Sequence, residues 1–120
     1  MSATWRVAGA RSKYGAVTVK LDGYHFDSVA ESIRYMELRL LLGQRLIDNL
    51  SVHPSYAIWI NGGYICEVEL DFAYDDMTQG GERIFEDVKT GKDLPMSRLK
   101  RKMFEAYYGE KVTLIKGVRR

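Results

Sequence analysis

One cysteine and two histidines leave this chain few soft metal ligands. Cys66 alone cannot form an intrachain disulfide, and one Cys with two His cannot complete the usual tetrahedral zinc site. Cys66 therefore reads as a small packing residue. No apolar run is long enough to span a bilayer, and the N-terminal residues lack the apolar core of a signal peptide. The expectation is a soluble cytoplasmic protein. An excess of one charge is missing too: 18 Lys and Arg against 16 Asp and Glu leave +2, too mild to imply a polyanionic partner by itself. Internal repeats and low-complexity tracts are absent.

What is present is an ordinary globular composition, 46% hydrophobic and 28% charged, in 120 residues, which predicts one domain over residues 1–120. The charges are sorted along the chain. Acids concentrate between Glu67 and Asp93, and bases gather in Arg98, Lys100, Arg101 and Lys102 and again at Lys116, Arg119 and Arg120. An acidic pocket with a basic flank is an arrangement that binds a polyanion through a metal ion.

The sharpest local signal is Ile84-Phe85-Glu86-Asp87-Val88-Lys89, with Asp71 sixteen residues earlier at the end of another apolar, β-prone run. In a strand, residues two apart share a face, so Asp87 and Lys89 lie side by side. Two carboxylates hold a hard divalent cation, and a neighbouring lysine polarises a water or a phosphate oxygen. Glu86 points to the opposite face and lacks the lysine, so it fits a pairing role with a basic residue. Glu69 shares a face with Asp71 and is the weaker ligand candidate. His25 and His53 read as loop or packing histidines.

Residues 1–13, small and basic, are expected to form a mobile arm or a weakly held strand. Val17–Lys20 and Tyr24–Phe26, joined by Leu21-Asp22-Gly23, predict a hairpin. Ser28 with Glu31 three residues on is a capping box, and Val29, Ile33, Met36, Leu40 and Leu41 give a helical apolar stripe ending at Gly43. Ile47–Val52 reads as a connecting strand or loop, and His53-Pro54 as a break. Strands follow at Tyr56–Ile60, Tyr64–Tyr74 and Arg83–Lys89. A helix from about Met96 to Tyr108 has apolar positions Leu99, Met103, Phe104 and Tyr107, with Leu99, Met103 and Tyr107 as its buried stripe, and Val112–Ile115 closes the chain. The predicted class is α/β (α+β): an αβββαβ core with a mixed sheet flanked by helices, preceded by a short hairpin. The last strand follows a helical crossover and should run parallel to a core strand.

Taken in order, Lys13-Tyr14, Asp22-Gly23, Phe26-Asp27-Ser28 with Glu31, Arg34-Tyr35, Asp71-Phe72 with Tyr74, Glu86-Asp87-Val88-Lys89 and Leu99-Lys100 with Lys102 cover most of the chain. This set resembles the PD-(D/E)XK nuclease superfamily, of restriction-endonuclease-like fold, and more narrowly a family of small phage-borne proteins. The resemblance implies that Asp71 is the first metal-binding acid, Asp87 and Lys89 the acid and lysine of the triplet, and Glu31 a further carboxylate on the first core helix. One departure is that Leu70, not proline, precedes Asp71.

The expected function is a divalent-metal-dependent DNA endonuclease. Asp71, Asp87, Glu31 and the Val88 carbonyl would hold Mg²⁺, with Mn²⁺ as substitute, and Lys89 would stabilise charge on the phosphate. In-line attack by water, leaving a 5′-phosphate, is implied by the resemblance. Arg98, Lys100, Arg101 and Lys102 would contact DNA phosphates, with Lys100 and Lys102 reaching inward. A chain with no further domain for reading sequence points to branched DNA such as a Holliday junction, and a resolvase of that kind acts as a homodimer. The alternative is a catalytically inactive nucleic-acid-binding module of phage replication or packaging machinery. A third reading makes the acids surface features of a structural or protein-interaction domain.

Overall fold

The computed structural model describes residues 6–11, for their backbone, and 17–117. Nine strands and two α-helices occupy them: β1 (Arg6–Arg11), β2 (Val17–Leu21), β3 (Tyr24–Phe26), α1 (Val29–Gly43), β4 (Ile47–Val52), β5 (Ser55–Ile60), β6 (Gly63–Glu69), β7 (Phe72–Asp76), β8 (Glu82–Lys89), α2 (Pro95–Tyr108) and β9 (Val112–Lys116). Of the arm expected over residues 1–13, residues 1–5, 12 and 13 lie outside the described residues. Residues 6–11 form β1, antiparallel to β2. Tyr14 and the basic pair Arg119 and Arg120 also lie outside them. No described helix is long and apolar enough to cross a membrane.

The strands make three sheets, and the site depends on the largest, in the order β4-β7-β8-β9. β8 is internal, antiparallel to β7 and parallel to β9, as the crossover through α2 requires. Both faces of this sheet are covered. On one, Phe72 and Tyr74 pack with Tyr35 and Leu38 of α1 and with Val19, Leu21 and Phe26 of the N-terminal sheet. On the other, Ala73 and Phe85 pack with Phe104 of α2 and with Ile58, Val68 and Leu70. The alternation Phe72/Ala73/Tyr74 is the period of two that sends neighbours to opposite cores. Counting the main sheet alone, the order is helix, three strands, helix, strand, so the mixed α+β expectation holds.

Its membership differs from the expectation in two places. β4, predicted as a connector, pairs antiparallel with β7 and is the first core strand. The run expected as one strand, Tyr64–Tyr74, is two: β6 pairs only with β5 in a separate ribbon, and the chain changes sheet at Leu70 and Asp71. The facing chain turns at the same level. His53 N–H donates to the Asp71 carbonyl (2.9 Å), and Leu70 N–H donates to the Pro54 carbonyl (2.9 Å). These bonds satisfy the backbone at a double corner, which the sequence hides because its strand-like alternation runs on through Leu70 and Phe72.

The α1 start is as predicted: Ser28 is extended (φ −149°) and its Oγ accepts from Glu31 N–H at 3.1 Å. Its buried stripe is not. Ala30, Ser32, Tyr35 and Leu38 face inward, while Met36 and Leu40 are 39% and 69% exposed. Polar residues turn in because they find partners: Tyr35 OH donates to Asp22 at 2.9 Å, and Arg34 reaches Glu86. Gly43 is the last helical residue rather than the cap, which is Gln44.

Gly117 closes the packing between β9 and the first turn of α1. Its N–H donates to the Lys89 carbonyl at 2.9 Å, and a Cβ there would lie 2.7 Å from Ala30 Cβ and 2.9 Å from Thr90 Cγ2. Neither neighbour is the end of a flexible side chain. Gly117→Ala is expected to destabilise the fold by about 1–3 kcal/mol through overpacking, read as a lowered urea midpoint. An unchanged midpoint would show that α1 yields freely at this point.

Candidate metal centre

The carboxyl ends of the parallel strands β8 and β9, the corner before β7 and the first turns of both helices surround one open cleft of about 820 Å³. Ligands of α/β sheets commonly sit at that end of parallel strands. Glu31, Asp71, Asp87, Val88 and Lys89 all line it, together with Asp27 and Glu69. Three different elements therefore bring the predicted acids together: α1 supplies Glu31, the β6–β7 corner Asp71 and β8 Asp87.

Backbone bonds fix the two aspartates against each other. Asp71 Oδ2 accepts from Val88 N–H at 2.7 Å, and Asp87 Oδ1 accepts from Asp71 N–H at 3.1 Å. Each carboxylate is thus held by the other's strand, and the Val88 backbone is drawn to Asp71. Glu31 Oε2 accepts from the Ser28 hydroxyl at 3.1 Å, so the capping serine also aims the third acid. Capping and cleft lining coexist in this one residue.

The acids crowd. Burial, a hydrogen bond that protonated Glu31 donates to Asp71, and the charge of Asp71 together push Glu31 up to about 9. Burial and then repulsion from Asp71 raise Asp87 to about 7. Such a group of carboxylates holds protons in place of a cation. The donor set fits a divalent ion: hard carboxylate oxygens from three elements, half-buried, with lone pairs not used by backbone bonds.

Lys89 follows Asp87 on the same strand face and is half-buried at the cleft wall. Across the parallel ladder it is in register with Lys116, and the two share an adjoining cavity of about 350 Å³. Glu86 points away, 1% exposed on the opposite face, and its basic partner is Arg34 of α1 rather than a basic residue across the sheet.

The basic helix is oriented differently from the expectation. Leu99 and Tyr107 are 51% and 48% exposed, and the buried residue is Phe104. Phe104 packs on Tyr56 (5.0 Å between centroids) and Phe85 (5.1 Å), which rotates α2 so that Arg101 faces the cleft. Arg101 pairs with Asp93, and Arg98 donates to the Asp93 carbonyl at 2.9 Å. Lys102 lies away from the cleft beside Glu105 and Lys111, and Lys100 is half-buried without lining it. Leu99 and Tyr107 fit a helical stripe equally well by spacing; only the aromatic cluster beneath selects Phe104.

One residue near the acids was read as a packing histidine. A ring nitrogen of His53 and carboxylate oxygens of Glu31 and Asp71 lie within 4.8 Å of one another. The sequence signal was the His53-Pro54 break, whose significance depends on the corner that Asp71 shares.

A family model described as protein of unknown function (DUF1064) matches residues 11–119. The chain belongs to that family. No curated protein matches, and no solved structure matches.

Proposed function

We propose that this member of the family is a divalent-metal-dependent endonuclease that hydrolyses phosphodiester bonds in DNA. The observation that carries the reading is the convergence of Glu31, Asp71 and Asp87 in one half-buried cleft with Lys89 on the strand face of Asp87. Asp71, Asp87, Glu31 and the Val88 carbonyl are the groups that would hold Mg²⁺ or Mn²⁺. Bound there, the cation supplies Lewis-acid stabilisation of a phosphate and a stronger nucleophile from water.

The chain's own residues do the rest. The reciprocal Asp71 and Asp87 backbone bonds fix the donor oxygens before substrate arrives, so little reorganisation is left for the reaction. Lys89 donates to a non-bridging phosphate oxygen and stabilises the charge that grows on it. Lys116, beside it, places a second cation along the path of the backbone. Arg101, anchored at Asp93, borders the same cleft as a phosphate contact, and Arg98 is tied to the same Asp93.

The resemblance to small phage-borne nucleases supports branched DNA as the substrate, a homodimer as the working form and the cytoplasm of a bacterial host as the location. Labelled four-way junction, linear duplex and single strand, each incubated in Mg²⁺ or Mn²⁺ with an EDTA control, test the proposal. Junction cutting that EDTA removes is the expected result. Tight binding without cutting in either metal would replace it with the inactive nucleic-acid-binding module.

A further inference from the structure

We infer that His53 is a ligand of the cation held by Glu31 and Asp71, and that its imidazole biases the centre toward first-row transition-metal ions over Mg²⁺. The inference rests on the metal-centre reading above and adds a nitrogen donor to a set otherwise made of oxygens.

Three observations place the ring. Its nitrogen is within 4.8 Å of donor oxygens of both Glu31 and Asp71, a separation that one ion can bridge. The backbone is tied to the same acid, with His53 N–H donating to the Asp71 carbonyl at 2.9 Å, so ring and carboxylate are held as one unit. The ring packs against Phe26, 5.4 Å between centroids, which restricts its rotation from the core side.

The conformation of the corner is itself unusual. His53 has φ +54°, in the left-handed region that non-glycine residues seldom enter. The Leu70 to Pro54 hydrogen bond beside it holds that geometry.

The chemical consequence follows from ligand type. Mg²⁺ favours an all-oxygen shell and keeps its waters, whereas an imidazole nitrogen raises affinity along the series from Mn²⁺ to Co²⁺ and Ni²⁺. His53 therefore discriminates among metals, while Asp71 and Glu31 bind them all.

The test uses Mg²⁺ and Co²⁺ as probes, in calorimetric titrations of the whole chain and of His53→Asn, His53→Gln and Asp71→Asn. Asparagine tolerates the left-handed backbone, so His53→Asn is the variant least able to disturb the corner. Expected is a loss of about tenfold or more in Co²⁺ affinity for both His53 variants, with Mg²⁺ affinity changed by less than about threefold. The Co²⁺-loaded wild type should also show a paramagnetically shifted imidazole N–H proton resonance that His53→Asn removes. His25→Asn should keep it, because His25 is exposed on β3 and its ring is not part of the group that Glu31, His53 and Asp71 form. Equal losses for both metals, or an unchanged Co²⁺ affinity, would overturn the role of His53; in that case Asp71→Asn still weakening both metals would leave the metal centre itself intact. Metal binding that is absent, or indifferent to Asp71→Asn, would overturn both.

Discussion

Asp87→Asn should abolish DNA cleavage and, in the absence of metal, make the protein more stable at pH 8. The two effects have one origin. On the proposed function Asp87 would be a donor to the cation, and losing its charge would remove transition-state stabilisation on the order of 10²–10³-fold or more. Without a cation the same charge is a burden: burial and the nearby Asp71 raise its pKa from 3.8 to about 7. A raised carboxyl pKa contributes stability that is fully present below the unfolded value and is lost as pH rises through the folded one. The metal-free wild type is therefore expected to lose stability between about pH 4 and pH 7, and further as Glu31 titrates up to about 9. Asn in place of Asp87 still offers an oxygen to the Asp71 N–H, so the β6–β7 corner survives. Urea unfolding at pH 5 and pH 8 should show the variant's advantage over wild type growing by roughly 1–3 kcal/mol at the higher pH. A variant no more stable at pH 8, or one that still cuts DNA at the wild-type rate, would show that Asp87 is not part of a crowded acidic centre.

Arg34→Ala should strongly destabilise the fold. Glu86 is 1% exposed beneath the sheet and receives two bonds from Arg34, Nε to Oε1 at 2.9 Å and Nη2 to Oε2 at 2.7 Å, and one from the Tyr74 hydroxyl. Removing the guanidinium leaves a buried carboxylate short of a partner, at a cost of about 3–5 kcal/mol. Replacing both Arg34 and Glu86 by Met removes the charges together and should cost far less than the sum of the single changes. The pair also has a functional consequence. Arg34 stands three residues from Glu31 on α1, and Glu86 precedes Asp87 on β8, so the clamp sets the distance between two acids of the centre. Tyr74, with its hydroxyl pointed at this carboxylate, has its pKa raised by burial and then by the bond to Glu86. Urea unfolding of the singles and the double measures the coupling; a cost below about 1 kcal/mol for Arg34→Ala would mean that Glu86 is reached by water.

The sequence carried the chemistry further than the packing. Asp87 and Lys89 share a face by strand period alone, and Ser28 with Glu31 starts α1 as its spacing predicts. The hairpin at Asp22-Gly23 is equally local: left-handed φ values of +53° and +83° suit that dipeptide and a two-residue turn. What the sequence concealed depends on contacts distant along the chain. The break at Leu70-Asp71 is made by bonds to His53 and Pro54 and leaves no mark in a run whose apolar residues recur at every second position from Tyr64 to Tyr74. The inward face of α1 carries Arg34 and Tyr35 because Glu86 and Asp22 wait for them, so an apolar stripe chosen by hydropathy lands on Met36 and Leu40 instead. The rotation of α2 follows from Phe104 entering a cluster of Tyr56 and Phe85, which turns Arg101 rather than Lys100 or Lys102 to the cleft. His53 was hidden for the same reason, since its nearness to Glu31 and Asp71 exists only at the corner where the two chain segments cross.

The most direct measurement is cleavage of end-labelled four-way junction DNA by wild type and Asp71→Asn, with Mg²⁺ present, chelated by EDTA, and then restored in excess. The account predicts cutting by wild type that stops on chelation, resumes on restoration and leaves 5′-phosphate ends, with none from Asp71→Asn under any condition. Cutting that persists in EDTA, or that Asp71→Asn performs as well as wild type, would contradict it.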